Sequence, residues 1–102
     1  MTAERLEELA SESAMDAPDA SSQRDETTTI WSVGGRPFVV LSGDTLEFRL
    51  DADVGAAARR TPGTTASSRG EDWVAFRPVE LDQYAEDRIR AWFAAAHRRS
   101  TA

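Results

Sequence analysis

Arg36 and Arg69 each adjoin a glycine, in Gly35-Arg36 and Arg69-Gly70. A guanidinium beside a residue without a side chain suits the close approach of another backbone. Two such groups suit contacts along a phosphate chain or in a minor groove. Arg49 and Arg77, on expected strands, extend this candidate nucleic-acid-binding set. The plainer account is solvated arginines balancing Glu47, Glu71 and Asp72. Glu4, Glu8 and Glu12 recur at four-residue spacing, with Glu7 beside them. On a helix they line one side, and clustered carboxylate oxygens suit hard cations. The plainer account is the wet face of an amphipathic helix. His97, the only histidine, lies among alanines and arginines. A general base needs a substrate proton in reach and a partner that orients it, and no sequence pattern supplies one. No nucleophile elbow, phosphate loop or dinucleotide fingerprint occurs. Cysteine is absent, which excludes disulfides, zinc–thiolate sites and thiol nucleophiles. The expectation is a non-enzymatic binding module without a cofactor.

The chain that must position these groups has 102 residues, enough for one domain. No apolar run approaches a membrane span of roughly 18 residues, and the acidic N-terminus lacks the apolar core of a secretion signal. These features predict a cytoplasmic protein without a membrane partner. Residues 1–26 carry eight acids and two arginines, whereas the remaining ten acids and ten arginines of 27–102 cancel. The expected folded body is therefore neutral, and the N-terminal segment carries the whole net charge of −6. Such a balance differs from the basic excess of most nucleic-acid binders. Lysine and asparagine, encoded by AT-rich codons, are absent, and alanine occurs 17 times. A high-GC bacterial genome accounts for this pattern and for arginine serving as every cation.

Thr2 is placed to cap a short helix with apolar positions Ala3, Leu6, Leu9 and Ala10. Residues 15–29, rich in Ser, Asp and Thr, read as a mobile loop or a loop leading into an edge strand. Thr27–Val33 and Arg36–Leu41 are β-branched and aromatic, and Gly34-Gly35 between them fits a primed hairpin turn. Thr45–Leu50 alternates apolar and polar residues, which completes a three-stranded meander over 27–50. A two-residue turn at Gly43-Asp44 puts Val39 and Leu41 on the face of Leu46 and Phe48; a three-residue turn puts Phe38 and Val40 there instead. The first register is favoured, and it assigns Trp31, Val33, Phe38 and Val40 to the sheet's second face. Asp51 caps a helix over 52–60, stopped by Pro62-Gly63. Residues 64–72 read as a polar loop, 73–77 as a strand and 81–99 as a helix. The helix carries an apolar stripe of Leu81, Ala85, Ile89, Trp92, Phe93 and Ala96. The predicted class is α+β: a two-layer sandwich of an antiparallel sheet packed by the N- and C-terminal helices.

Val33-Gly34-Gly35-Arg36-Pro37-Phe38 resembles the glycine-glycine hairpin of the MmcQ/YjbR-like proteins. Leu46–Asp51, Thr61-Pro62-Gly63 and the loop Arg69–Asp72 leading into Trp73-Val74 are similar too, in the same order. The resemblance covers residues 27–99. It implies a frataxin-like (CyaY-like) fold and DNA binding through two β-hairpin wings. The acidic first helix is similar to the iron-binding helix of frataxin-like proteins. Two features depart from the family pattern: the net negative charge, and the acidic Ser/Asp/Thr stretch where a tryptophan-containing segment is usual.

Two other partners compete with DNA. If the second sheet face is uncovered, Trp31, Val33, Phe38 and Val40 form an apolar patch for another protein or a second copy of the chain. Pairing through an edge strand is a further route to self-association. The acidic helix offers weak metal binding at Glu4, Glu8 and Glu12.

Overall fold

The computed structural model describes residues 2–101, excepting the side chain of Thr2. The cap expected at that side chain lies outside the described residues. The chain runs α1 (Thr2–Ala14), β1 (Ser21–Arg24), β2 (Thr28–Val33), β3 (Arg36–Ser42), β4 (Thr45–Arg49), α2 (Ala52–Ala58), β5 (Thr64–Ala66), β6 (Trp73–Phe76) and α3 (Gln83–Thr101). The six strands form one antiparallel sheet in the order β1-β2-β3-β4-β6-β5. α1 and α3 pack against it, so the α+β sandwich is as expected.

Local chemistry explains the boundaries. Gly34 and Gly35 take φ of 58° and 80°, which a two-residue primed turn requires. Asp51 accepts a hydrogen bond from the Val54 amide at 3.0 Å, and Asp82 accepts one from Ala85 at 2.9 Å; both carboxylates cap helix starts. Gly63, with φ of 93°, lies so close to the chain that an added Cβ would sit 2.7 Å from the Arg77 carbonyl oxygen.

The turn at Gly43-Asp44 has two residues, with Ser42 paired to Thr45, Leu41 to Leu46 and Val39 to Phe48. This is the favoured register. Its extension to β2 needs correction. Trp31 pairs with Val39 and Ser32 with Pro37, which leaves Phe38 as the extra residue of a β-bulge. A bulge tolerates Pro37, which has no N–H to donate to the ladder, and it re-aims the neighbouring side chains. Trp31 and Phe38 therefore join the helix-covered face, where both meet Phe93 edge-on at 5.9 Å and 5.3 Å between ring centroids. Phe48 and Phe76 meet Trp92 in the same way, at 5.8 Å and 5.0 Å. Each such pair adds about 0.5–1.5 kcal/mol beyond area burial.

Two further strands complete the sheet: β1 lies in the stretch read as a mobile loop or a loop leading into an edge strand, and β5 in the stretch read as a polar loop. Both are short, polar edge strands. Among the described residues no helix is long and apolar enough to cross a membrane.

Candidate functional site

Strand directions put two connections at one end of the sheet. β3 starts there at Arg36, β4 finishes there at Arg49, and Arg49 pairs with Trp73 at the start of β6. The Gly34-Gly35 hairpin and the loop 67–72 thus stand at the same end. β3 and β6 lie two strand spacings apart, about 10 Å, so Arg36 and Arg69 can face one extended ligand. Arg77 follows β6 at the opposite end, paired with Asp44 at 3.0 Å. The structure therefore brings three of the four candidate arginines together and leaves Arg77 out.

The three differ in their freedom. Arg36 is exposed and makes no ion pair among the described residues. Arg69 lies on the open sheet face, 2.9 Å from a Glu47 carboxylate oxygen, with its guanidinium 5.8 Å from the Trp73 ring centroid. Ser67 also donates to Glu47, fixing the loop from its other side. Arg49 is 3.0 Å from Asp72, and Arg99 reaches the same carboxylate at 2.7 Å from the end of α3. Hydrogen bonds from Arg49 and then Arg99 hold the Asp72 carboxyl below its usual range. Sequence reasoning missed Arg99 and Arg59. Arg59, exposed at the end of α2, donates to the Glu71 carbonyl at 2.6 Å. Nothing local in the sequence links either arginine to loop 67–72, since α2 and α3 bring them there through tertiary packing.

Acidic groups stand at both ends: Asp51, Glu71 and Asp72 lie beside Arg59 and Arg99 at the candidate end, and a second group lies at the far end. Glu4, Glu7, Arg24 and Glu26 border one hollow with Gly43, and Asp44 is beside it. Asp16 and Asp19 lie instead near His97 and Arg98, along the groove between α1 and α3. Glu4, Glu7 and Glu26 are therefore remote from Arg36 and Arg69, whereas Asp19 precedes Ser21, which pairs with Ser32 beside the Gly34-Gly35 hairpin, and so stands toward the candidate end.

The other candidates resolve differently. Trp31, Phe38 and Val40 are buried, and only Val33 is partly exposed, so the expected apolar patch does not form. The bulge removes Trp31 and Phe38 from it, while Val40 lies in the open-face row Ile30–Val40–Glu47–Ala75. Among the described residues the exposed large apolar side chains are instead Met15, Val79 and Tyr84. Along α1, Arg5 inserts a cation into the carboxylate row, 2.9 Å from Glu8 and 3.9 Å from Glu12. It also clamps Glu86 of α3 at 3.0 Å. That interaction holds the Glu86 carboxyl below its usual range and raises the Arg5 guanidinium above its own. Among the described residues no three carboxylate or imidazole groups are placed to hold a metal ion. Of the carboxylates expected to hold a metal, Glu8 and Glu12 belong to this ion-pair network, and Glu4 borders the hollow at the far end. His97 does have an orienting partner, Asp19, with Nε2 2.7 Å from the carboxylate. Their separation of 78 residues kept the pair out of sequence view.

No family model matches the chain, and neither a curated protein nor a solved structure matches it.

Proposed function

We propose that this chain is a non-enzymatic binding module that grips the phosphate backbone of a nucleic acid at the Gly34-Gly35/loop 67–72 end of its sheet. One observation carries the reading: Arg36 and Arg69, each beside a glycine with positive φ, stand at the same sheet end, with Arg59 exposed nearby. The motif resemblance to MmcQ/YjbR-like proteins points the same way. The electrostatics set the strength. Arg49 is spent on Asp72, and Arg69 is shared with Glu47. At most Arg36, Arg59 and Arg69 neutralise phosphates, so log K falls with log salt at a slope of about −3 on duplex DNA. Binding is correspondingly weak at physiological salt.

The test is an anisotropy titration of a labelled oligonucleotide at low and rising salt. The expected result is binding that Arg36→Ala with Arg69→Ala flattens by about two units of slope. No binding at low salt, or binding indifferent to that double substitution, overturns the reading.

A second reading, a protein-interaction surface, rests on a different observation. Val79 and Tyr84 are 88% and 69% exposed and border an apolar groove with Pro62, Pro78 and Phe76. Sedimentation at micromolar concentration checks its self-associating form. The expected outcome is a concentration-dependent mass that Val79→Asp abolishes; a strict monomer removes that form.

A further inference from the structure

We propose that the apolar groove at the start of α3 seats Met15 and Asp16 of a second copy of this chain, in a head-to-tail contact. This rests on the protein-interaction reading above and names its partner surface. The exposed large apolar side chains among the described residues fall in two places. Val79 and Tyr84 border the groove with Pro62, Phe76 and Pro78. Met15, 82% exposed, follows the end of α1. α1 and α3 run side by side in the same direction: Arg5 meets Glu86, Glu12 meets Arg90, and Asp16 shares a hollow with His97 and Arg98. Met15 therefore lies toward the last turns of α3, and the groove lies toward its first. About 20 Å of helix separates residues 84 and 97, so a copy cannot fill its own groove.

The charges at the two places are complementary. Arg88 borders the groove half-buried, with its guanidinium 4.7 Å from the Tyr84 ring centroid and its Nε without an acceptor. Glu80 borders the same groove. Beside Met15 the signs are reversed: Asp16 is the next residue, and Arg98 shares its hollow. Among the described residues none of these four charges takes part in an ion pair. Docking brings Asp16 to Arg88 and Arg98 to Glu80, while Met15 enters the apolar lining. Asp82, the groove's other carboxylate, is already engaged by the Ala85 amide. The groove, about 260 Å³, is smaller than ordinary small-ligand sites of roughly 300–1,000 Å³. It suits one inserted side chain, and the unbranched thioether of methionine adapts well to an irregular apolar surface. Because knob and groove are different surfaces, the contact is heterologous and repeats from copy to copy unless it closes into a ring. The net charge of −6 on each copy opposes association and limits its strength.

Sedimentation of the intact chain, from micromolar concentration to about 1 mM, reads the proposal. The expected result is a weight-average mass that climbs with concentration. Met15→Asp, at an exposed position, weakens association about tenfold or more, the usual loss of one buried apolar side chain. Arg88→Asp weakens it as well, and adding Asp16→Arg to Arg88→Asp restores it. Mixing supplies the sharpest reading. Met15→Asp protein keeps its groove and Val79→Asp protein keeps its knob, so together they form one-to-one pairs and nothing larger, while each alone stays monomeric. Association that Val79→Asp abolishes but Met15→Asp leaves unchanged overturns the proposal and leaves the groove as a self-complementary interface. A strict monomer at every concentration overturns it together with the self-associating form of the reading it rests on.

Discussion

The two faces of the sheet are built from opposite materials. Under the helices, Trp31, Phe38, Phe48, Phe76, Trp92 and Phe93 interlock edge to face, and Leu6, Leu9 and Ile89 seal the layer. On the other face, the row Ile30–Val40–Glu47–Ala75 holds a carboxylate at its centre, and loop 67–72 closes over it through Ser67 and Arg69. The first arrangement is apolar and complete. The second is charged and only partly committed, because its ion pairs are half open to water. Burial makes the covered face a source of stability, and incomplete burial leaves the open face able to exchange an internal partner for an external one.

The contrast can be broken by substitution, and the largest effect belongs to the covered face. Phe93 touches both Trp31 and Phe38, so Phe93→Ala should cost about 3–5 kcal/mol in urea unfolding. A loss below about 1 kcal/mol would mean that α3 does not seal the sheet. Gly63→Ala comes next. A positive φ and a backbone contact at 2.7 Å predict a loss of more than about 1 kcal/mol by thermal unfolding.

Acid sharpens the comparison further. Asp72 and Glu86 both titrate lower folded than unfolded. Their stabilisation is therefore complete above the ordinary values of 3.8 and 4.5, and it is lost as pH falls below those values through the lower folded ones. The urea midpoint should drop on that acid limb, and Asp72→Asn should lower the neutral midpoint while flattening the limb. An unchanged limb would mean that Arg49 and Arg99 do not hold Asp72. The smallest stability effect is expected for Glu47→Gln, within about 1 kcal/mol of the parent. The same change should tighten oligonucleotide binding, because it releases Arg69 from its internal partner. Weaker binding would show that Glu47 holds Arg69 in its working position.

Much of this architecture was legible in the residues. Alternation across Leu46, Phe48 and Leu50, the Gly34-Gly35 pair and the stripe Ile89-Trp92-Phe93-Ala96 specify the meander and the closing helix, because burial repeats at the period of each element. The bulge at Phe38 was not legible. Local pattern assumes an unbroken period of two, and one extra residue moves Trp31 and Phe38 to the opposite layer. Strand β5 escaped, and β1 was legible only as one alternative to a mobile loop, because edge strands owe their pairing to neighbours and Ser21–Arg24 is exposed throughout. At the candidate site, Arg36 and Arg69 were visible from their glycines. Their common sheet end follows from strand order, which no short motif encodes, and Arg59 and Arg99 arrive only through the packing of α2 and α3.

The most direct measurement is a map of backbone amide shifts during titration with a short oligonucleotide. The account predicts perturbations confined to residues 34–36, 59 and 67–73. Perturbations centred on Asp44 and Arg77, or on Val79 and Tyr84, with the loop end silent, would contradict it.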